Sequence, residues 1–212
     1  MSAPETLQNW PHLFVSGEDD APVLLTLHGT GSNEQEISAL APELDPRAGV
    51  LAPRGLVREH GMPRWFRRMG EGVFDVDDVV LRAGELAGFV TAAREHYGLG
   101  DRPLVAVGFS NGANIALATA MLHPDVVDRV VAFSGMYPFA DRDEAADKDL
   151  HGVRVTTLNG RADPMAPLDS VTRLVEVLRD RGADVEQHLR EGGHGISPQD
   201  LAAGREAVSR LA

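Results

Sequence analysis

Val105–Met121 reads VAVGFSNGANIALATAM: an apolar run of strand character, a serine between two glycines, and then a helical pattern. A serine on so sharp a strand-to-helix corner is lifted clear of its sheet. The backbone there leaves no room for side chains two residues before and after it, which is why Gly108 and Gly112 flank Ser110. The pattern GFSNG by itself carries little weight in a chain with 22 glycines. Its weight comes from the strand before it and the helix after it. The competing reading is a turn serine that caps the helix beginning at Asn111.

Outward from this corner, short Val- and Leu-rich runs alternate with longer segments of helical period. This is the pattern of a mostly parallel sheet covered by helices on both faces, so the fold class is α/β. Strands are predicted at 23–27, 50–52, 104–109, 130–133, 153–158 and 185–189, with a weaker edge strand at 13–15. Helices are predicted over 78–96, 112–122, 168–181 and 198–211. The connections 53–77 and 134–152 are long and leave the carboxyl ends of strands, where open α/β sheets build binding crevices. One domain over residues 1–212 accommodates these elements.

A serine hydroxyl is a poor nucleophile near neutral pH unless a base takes its proton and a carboxylate orients that base. Both partners are expected after Ser110 in the chain, each in a loop following a later strand. VTTLNGRADPMAP places Asp163 just past a predicted strand, in a turn closed by Pro164. VEQHLREGGHGIS places His194 past the last strand, between Gly193 and Gly195. The competing acid, Asp169, falls at a helix start, where a carboxylate is favoured in any case. Among the other histidines, His96 and His123 end helices and His188 lies within a strand. His194 has the loop context of a general base. LLTLHGTGSNE ends a strand at His28-Gly29-Thr30-Gly31, from which the N–H groups of Thr30 and Asn111 converge above Ser110 as donors to an oxyanion.

The formal net charge of −12, with no basic run longer than two residues, is the wrong footprint for nucleic acid. No apolar run approaches the roughly 18 residues needed to span a bilayer, and no export signal stands at the N-terminus. The chain has no cysteine, which removes disulfides, thiolate nucleophiles and Cys-based zinc sites. Neither a metal nor an organic cofactor is expected, since no carboxylate cluster accompanies His28 and His194 at ligand spacing. The cytoplasm is the expected compartment.

LLTLHGTGSNE, LAPRG, GFSNGAN, NGRADPMAP and GGHGIS together resemble the phospholipase/carboxylesterase family of α/β hydrolases, which includes acyl-protein thioesterases. The resemblance runs from about Val23 to the last helix. The stretch PRG…PRWFRR…EGVFD is closer still to a bacterial branch of carboxylesterases linked to hydroquinone resistance. The resemblance implies an α/β-hydrolase fold of about seven strands with a minimal cap. It implies Ser110 as nucleophile, Asp163 as acid, His194 as base, and Thr30 and Asn111 as oxyanion donors. Thioesterases of the family often carry glutamine where Asn111 stands and leucine at the Thr30 position, so the centre here is the more polar.

The expected activity is hydrolysis of small carboxylic esters through an acyl-enzyme. Thioester or lysophospholipid hydrolysis is the neighbouring alternative, and a non-catalytic binder of a small aromatic molecule the remote one. Trp65, Phe66, Met136 and Met165 are expected to supply pocket surface, with Arg64, Arg67 and Arg68 attracting an anionic or aromatic group. The expected partner is a small ester, with a homodimer left open.

Overall fold

The computed structural model describes Leu7, residues 9–70 and residues 72–212. The main sheet has seven strands: β1 (His12–Val15), β2 (Val23–Leu27), β3 (Gly49–Pro53), β4 (Leu104–Phe109), β5 (Arg129–Phe133), β6 (Arg154–Gly160) and β7 (Asp184–Arg190). They lie in the order β1-β3-β2-β4-β5-β6-β7, parallel throughout except for β1, which runs antiparallel to β3 at one edge.

Successive strand residues face opposite ways, so a sheet covered on both sides reads as continuous apolar sequence. Val23, Leu25, Leu27, Leu104 and Ala106 pack on one face with α3 (Val76–His96), α4 (Asn111–Leu122) and α5 (Leu168–Asp180). Leu24, Val105, Val107, Val131 and Phe133 face the other way, onto α1 (Glu34–Ser38), α2 (Ala41–Leu44) and α6 (Pro198–Leu211). Each fully buried Leu, Val or Phe contributes about 1.5–3 kcal/mol to this arrangement.

The helices begin where the chain supplies acceptors for their free N–H groups. The Asp75 carboxylate accepts from the Asp78 N–H at the start of α3, with Arg94 and His96 in its last turn. Ser197 and Asp200 cap α6 reciprocally, and Pro198 opens it. All seven strands and the four long helices stand where the sequence places them, to within a few residues at their ends.

Two features were not anticipated. The segment after β2 contains α1 and α2, five and four residues long, the first capped by Asn33. The 53–77 connection is folded into two hairpins, Val57–Glu59 with Met62–Arg64 and Arg68–Gly70 with Val73–Phe74. Among the described residues no helix is long and apolar enough to cross a membrane.

Candidate active site

Leu27 at the end of β2 pairs with Gly108 on β4, and Phe109 pairs with Phe133 on β5. The carboxyl ends of these strands therefore form one rim, and Thr30, Ser110, Asp163 and His194 all follow strands that end on it. Ser110 has φ 54° and ψ −117°. For a residue with a side chain such backbone costs on the order of 1–3 kcal/mol. The cause is close backbone packing. A Cβ on Gly112 would lie 1.9 Å from the Leu27 carbonyl oxygen, and one on Gly108 would lie 2.4 Å from that of Gly112. Ser110 occupies the cap position of α4, but its side chain makes no capping hydrogen bond. The turn-serine reading, in which the hydroxyl caps this helix, is therefore not met.

Asp163, buried just after β6, accepts at Oδ1 from the N–H groups of Met165 (2.8 Å) and Ala166 (3.2 Å). Its Oδ2 lies 2.8 Å from His194 Nδ1. A carboxylate accepts and does not donate, so Nδ1 carries a proton, and in the neutral ring the lone pair is the one on Nε2. Asp169 lies in the first turn of α5, as its competing reading required.

The loop that carries His194 is tied from three sides. Arg190 Nη2 donates to the carbonyls of Gly193 and Gly195, Arg190 Nε pairs with Asp200, and the Ser134 hydroxyl lies 3.3 Å from the Gly195 carbonyl. These positioning contacts escaped sequence reasoning. The only signal was an arginine standing two residues before a glycine-rich segment.

The Asn111 N–H is the first of α4 and has no intrahelical acceptor. Thr30 stands across from it in the turn after β2, which the first hairpin fastens. The Gly31 N–H donates to Pro63 and Arg64 Nη1 to the Thr30 hydroxyl, at 3.0 and 2.8 Å. His28, fully buried, shapes the same turn. Its Nδ1 donates to the Gly29 carbonyl and its Nε2 accepts from the Gly55 N–H, at 2.7 and 2.9 Å. Burial holds the His28 pKa below the ordinary histidine value, keeping the ring neutral.

Ser110 and His194 line an open crevice of about 340 Å³, bounded also by Thr30, Ile37, Phe109 and Met165. An adjoining cavity of about 30 Å³ shares Ser110, Thr30 and Met165 and is bordered also by Arg64, Arg68, Phe74, Asn111 and Asn114. A larger depression of about 470 Å³, lined by Arg154, Arg179 and Arg210, lies at the amino ends of β6 and β7 and holds none of these groups. Among the described residues no three His, Asp or Glu side chains are arranged to hold a metal ion.

Met165 thus borders both cavities, but Trp65, Phe66 and Met136 border neither; they are 2%, 0% and 4% exposed. Trp65 is a core residue: its Nε1 donates to the His28 carbonyl (2.9 Å) and its N–H to Asn111 Oδ1 (2.8 Å). Phe66 meets the edge of Phe74, and Met136 packs on Ala166 and Val171. The expectation that these three wall the pocket is corrected.

A model of the Phospholipase/Carboxylesterase family matches residues 11–211. The chain belongs to the phospholipase/carboxylesterase family. The protein MhqD of Bacillus subtilis (strain 168) is 37% identical to it over 195 residues, 92% of this chain and 96% of that one. The crystal structure of the Bacillus cereus carboxylesterase superposes with a TM-score of 0.90 at 33% identity, covering all of both chains. The structure of YahD with malic acid superposes with a TM-score of 0.86 at 26% identity, over 96% of this chain and all of that one. This member of the family is an esterase-type hydrolase with the α/β-hydrolase fold.

Proposed function

We propose that the protein hydrolyses esters of small carboxylic acids through an acyl-enzyme on Ser110, with His194 as general base and acid and Asp163 as its orienting carboxylate. The observation that carries this reading is the Asp163–His194 hydrogen bond beside a serine held at positive φ on the same crevice. As Ser110 Oγ bonds the acyl carbon, its proton passes to the lone pair of His194 Nε2. The charge that develops on the carbonyl oxygen is met by the N–H groups of Thr30 and Asn111. Collapse expels the alcohol, which takes the proton from Nε2. Water then repeats the sequence, giving the free acid and restoring Ser110.

Small acyl groups suit the space available. The 134–152 connection adds no helical cap; its apolar half, with Met136, Tyr137 and Phe139, is buried in the fold, and its charged half DRDEAADKDL is a poor lining for an acyl tunnel. One solved relative is described with malic acid, which makes small carboxylate-bearing molecules sensible probes here. The test is labelling by a serine-reactive fluorophosphonate, expected at Ser110 alone, together with a loss of at least about a thousandfold in turnover for Ser110→Ala. Labelling at another residue, or turnover that survives the substitution, would overturn the assignment.

A further inference from the structure

We infer that Arg64 is a positioning residue for the charge that develops on the substrate carbonyl oxygen: with Pro63 and Trp65 on either side, it braces Thr30 against Asn111 and so fixes the spacing of their N–H groups. The inference rests on the hydrolase reading above. Two donors stabilise an oxyanion only if both stand within about 2.7–3.1 Å of the place the oxygen will occupy, so their separation matters as much as their presence.

That separation is not set by the sheet alone. The Asn111 N–H belongs to α4, whereas Thr30 lies beyond Leu27, the last residue of β2 that the ladder holds. Gly29 and Gly31 flank Thr30, and Gly31 stands at φ 83°, so this turn owes its shape to outside support. Three successive residues of the 53–77 connection supply it. The Pro63 carbonyl accepts from the Gly31 N–H (3.0 Å), Arg64 Nη1 donates to the Thr30 hydroxyl (2.8 Å), and the Trp65 N–H donates to Asn111 Oδ1 (2.8 Å). The Trp65 indole adds a fourth bond, to the carbonyl of His28 at the base of the same turn. One stretch of backbone thus bridges the two donor-bearing residues and is tied to both.

Arg64 is itself held. It is 3% exposed, its Nε donates to the Phe66 carbonyl at 3.3 Å, and its Nη1 lies 3.3 Å from Glu59 on the facing strand of the hairpin. A Cβ on Gly55 would collide with the Arg64 carbonyl, so the start of the connection packs directly on its brace. Taking a guanidinium out of water is costly, and a buried ion pair seldom returns that cost as stability. Here the buried side chain reaches a hydroxyl on the residue whose N–H the chemistry needs.

The experiment uses the whole chain, p-nitrophenyl butyrate as substrate, and two inhibitors, trifluoromethyl propyl ketone and methyl propyl ketone. Ser110 Oγ adds to the activated carbonyl carbon of the first, its proton passes to His194 Nε2, and the former carbonyl oxygen becomes an anion facing the two N–H groups. The second binds without addition. Thr30→Val keeps the backbone N–H and the branched shape but removes the acceptor for Arg64. It should lower kcat at least about tenfold with KM within about twofold, and raise the inhibition constant of the trifluoromethyl ketone at least about tenfold against at most about twofold for the methyl ketone. Thr30→Ser, which keeps the hydroxyl, should recover part of the loss. Arg64→Gln should reproduce the pattern, and the double variant should lose no more than about threefold beyond the poorer single one, since both substitutions remove the same bond. If Arg64→Gln does not fold, the two Thr30 variants decide alone. Equal discrimination between the ketones in wild type and Thr30→Val overturns the proposal, whatever happens to kcat, as do single losses that multiply in the double variant. Fluorophosphonate labelling separates the two levels. A wild type labelled at Ser110 whose ketone selectivity the variants leave alone removes only the brace; a wild type neither labelled nor inhibited removes the hydrolase reading and the brace with it.

Discussion

The guanidinium of Arg190 grips the chain on both sides of His194: Nη2 donates to the Gly193 carbonyl at 3.0 Å and to the Gly195 carbonyl at 2.8 Å. Its Nε lies 2.5 Å from Asp200, which also caps α6. The glycines give the loop its freedom, and the arginine takes that freedom away where the imidazole is mounted.

With His194 as the proposed general base, Arg190→Gln should lower kcat by about tenfold or more while leaving KM within about twofold, because small misplacements of such a base fall on the chemical step. Arg190→Lys keeps the charge but not the fork, and should recover part of the rate. Steady-state kinetics at a temperature where circular dichroism shows each variant folded is the check. An effect on KM alone would contradict the positioning role.

Asp163→Asn should fold normally and lose about three to four orders of magnitude in kcat. The asparagine oxygen keeps the Met165 and Ala166 N–H bonds, but its amide NH₂ then faces His194 Nδ1. A donor in that place favours the tautomer with the proton on Nε2, which has no lone pair for the serine proton. Asp169→Asn, by contrast, should leave kcat close to wild type. The opposite ranking would move the acid to Asp169.

Trp65→Ala should act on stability rather than on substrate choice. The indole is buried, tilted against the His28 ring at 5.2 Å between centroids, and hydrogen-bonded to the His28 carbonyl. Truncation of such a side chain costs about 3–5 kcal/mol, to be read from denaturant midpoints. An unchanged midpoint with altered preference among short esters would restore Trp65 to the pocket wall.

Stability should also fall as the solution is acidified below about pH 6.5, the ordinary histidine value. Burial, the largest influence on His28, holds its pKa below that value, so the unfolded chain takes up a proton that the folded protein refuses. The resulting contribution is complete above about pH 6.5 and is lost toward the lower folded pKa, at up to about 1.4 kcal/mol per pH unit. His123, also shifted down by burial, adds a slope of the same sign. Denaturation midpoints between pH 7.5 and 5 should show this slope, reduced in His28→Gln. Equal slopes for the two proteins would remove His28 as its source.

The candidate catalytic residues were legible because each is announced locally: glycines around Ser110, an Asp-Pro turn after β6, a glycine-flanked histidine after β7. The main strands were legible because both faces of the sheet are covered. Trp65 and Phe66 were not. Flanked by Arg64, Arg67 and Arg68, they read as a surface cluster, and what buries Trp65 is chain 37 and 46 residues away, at His28 and Asn111. No local pattern reports such contacts. The helices α1 and α2 are too short to display a period, and the hairpins between β3 and α3 lack the alternation that marks longer strands.

The left-handed backbone at Ser110 sets the fold and the proposed catalytic role in opposition at one residue. Glycine adopts φ 54° without penalty, so Ser110→Gly should make the protein harder to unfold, by about 1 kcal/mol, even as it removes the proposed nucleophile. Random drift under selection for thermostability alone would erase the hydroxyl first and spare Gly108 and Gly112, whose replacement collides with backbone. In a library sorted only for robustness, the winners at position 110 would be inert scaffolds.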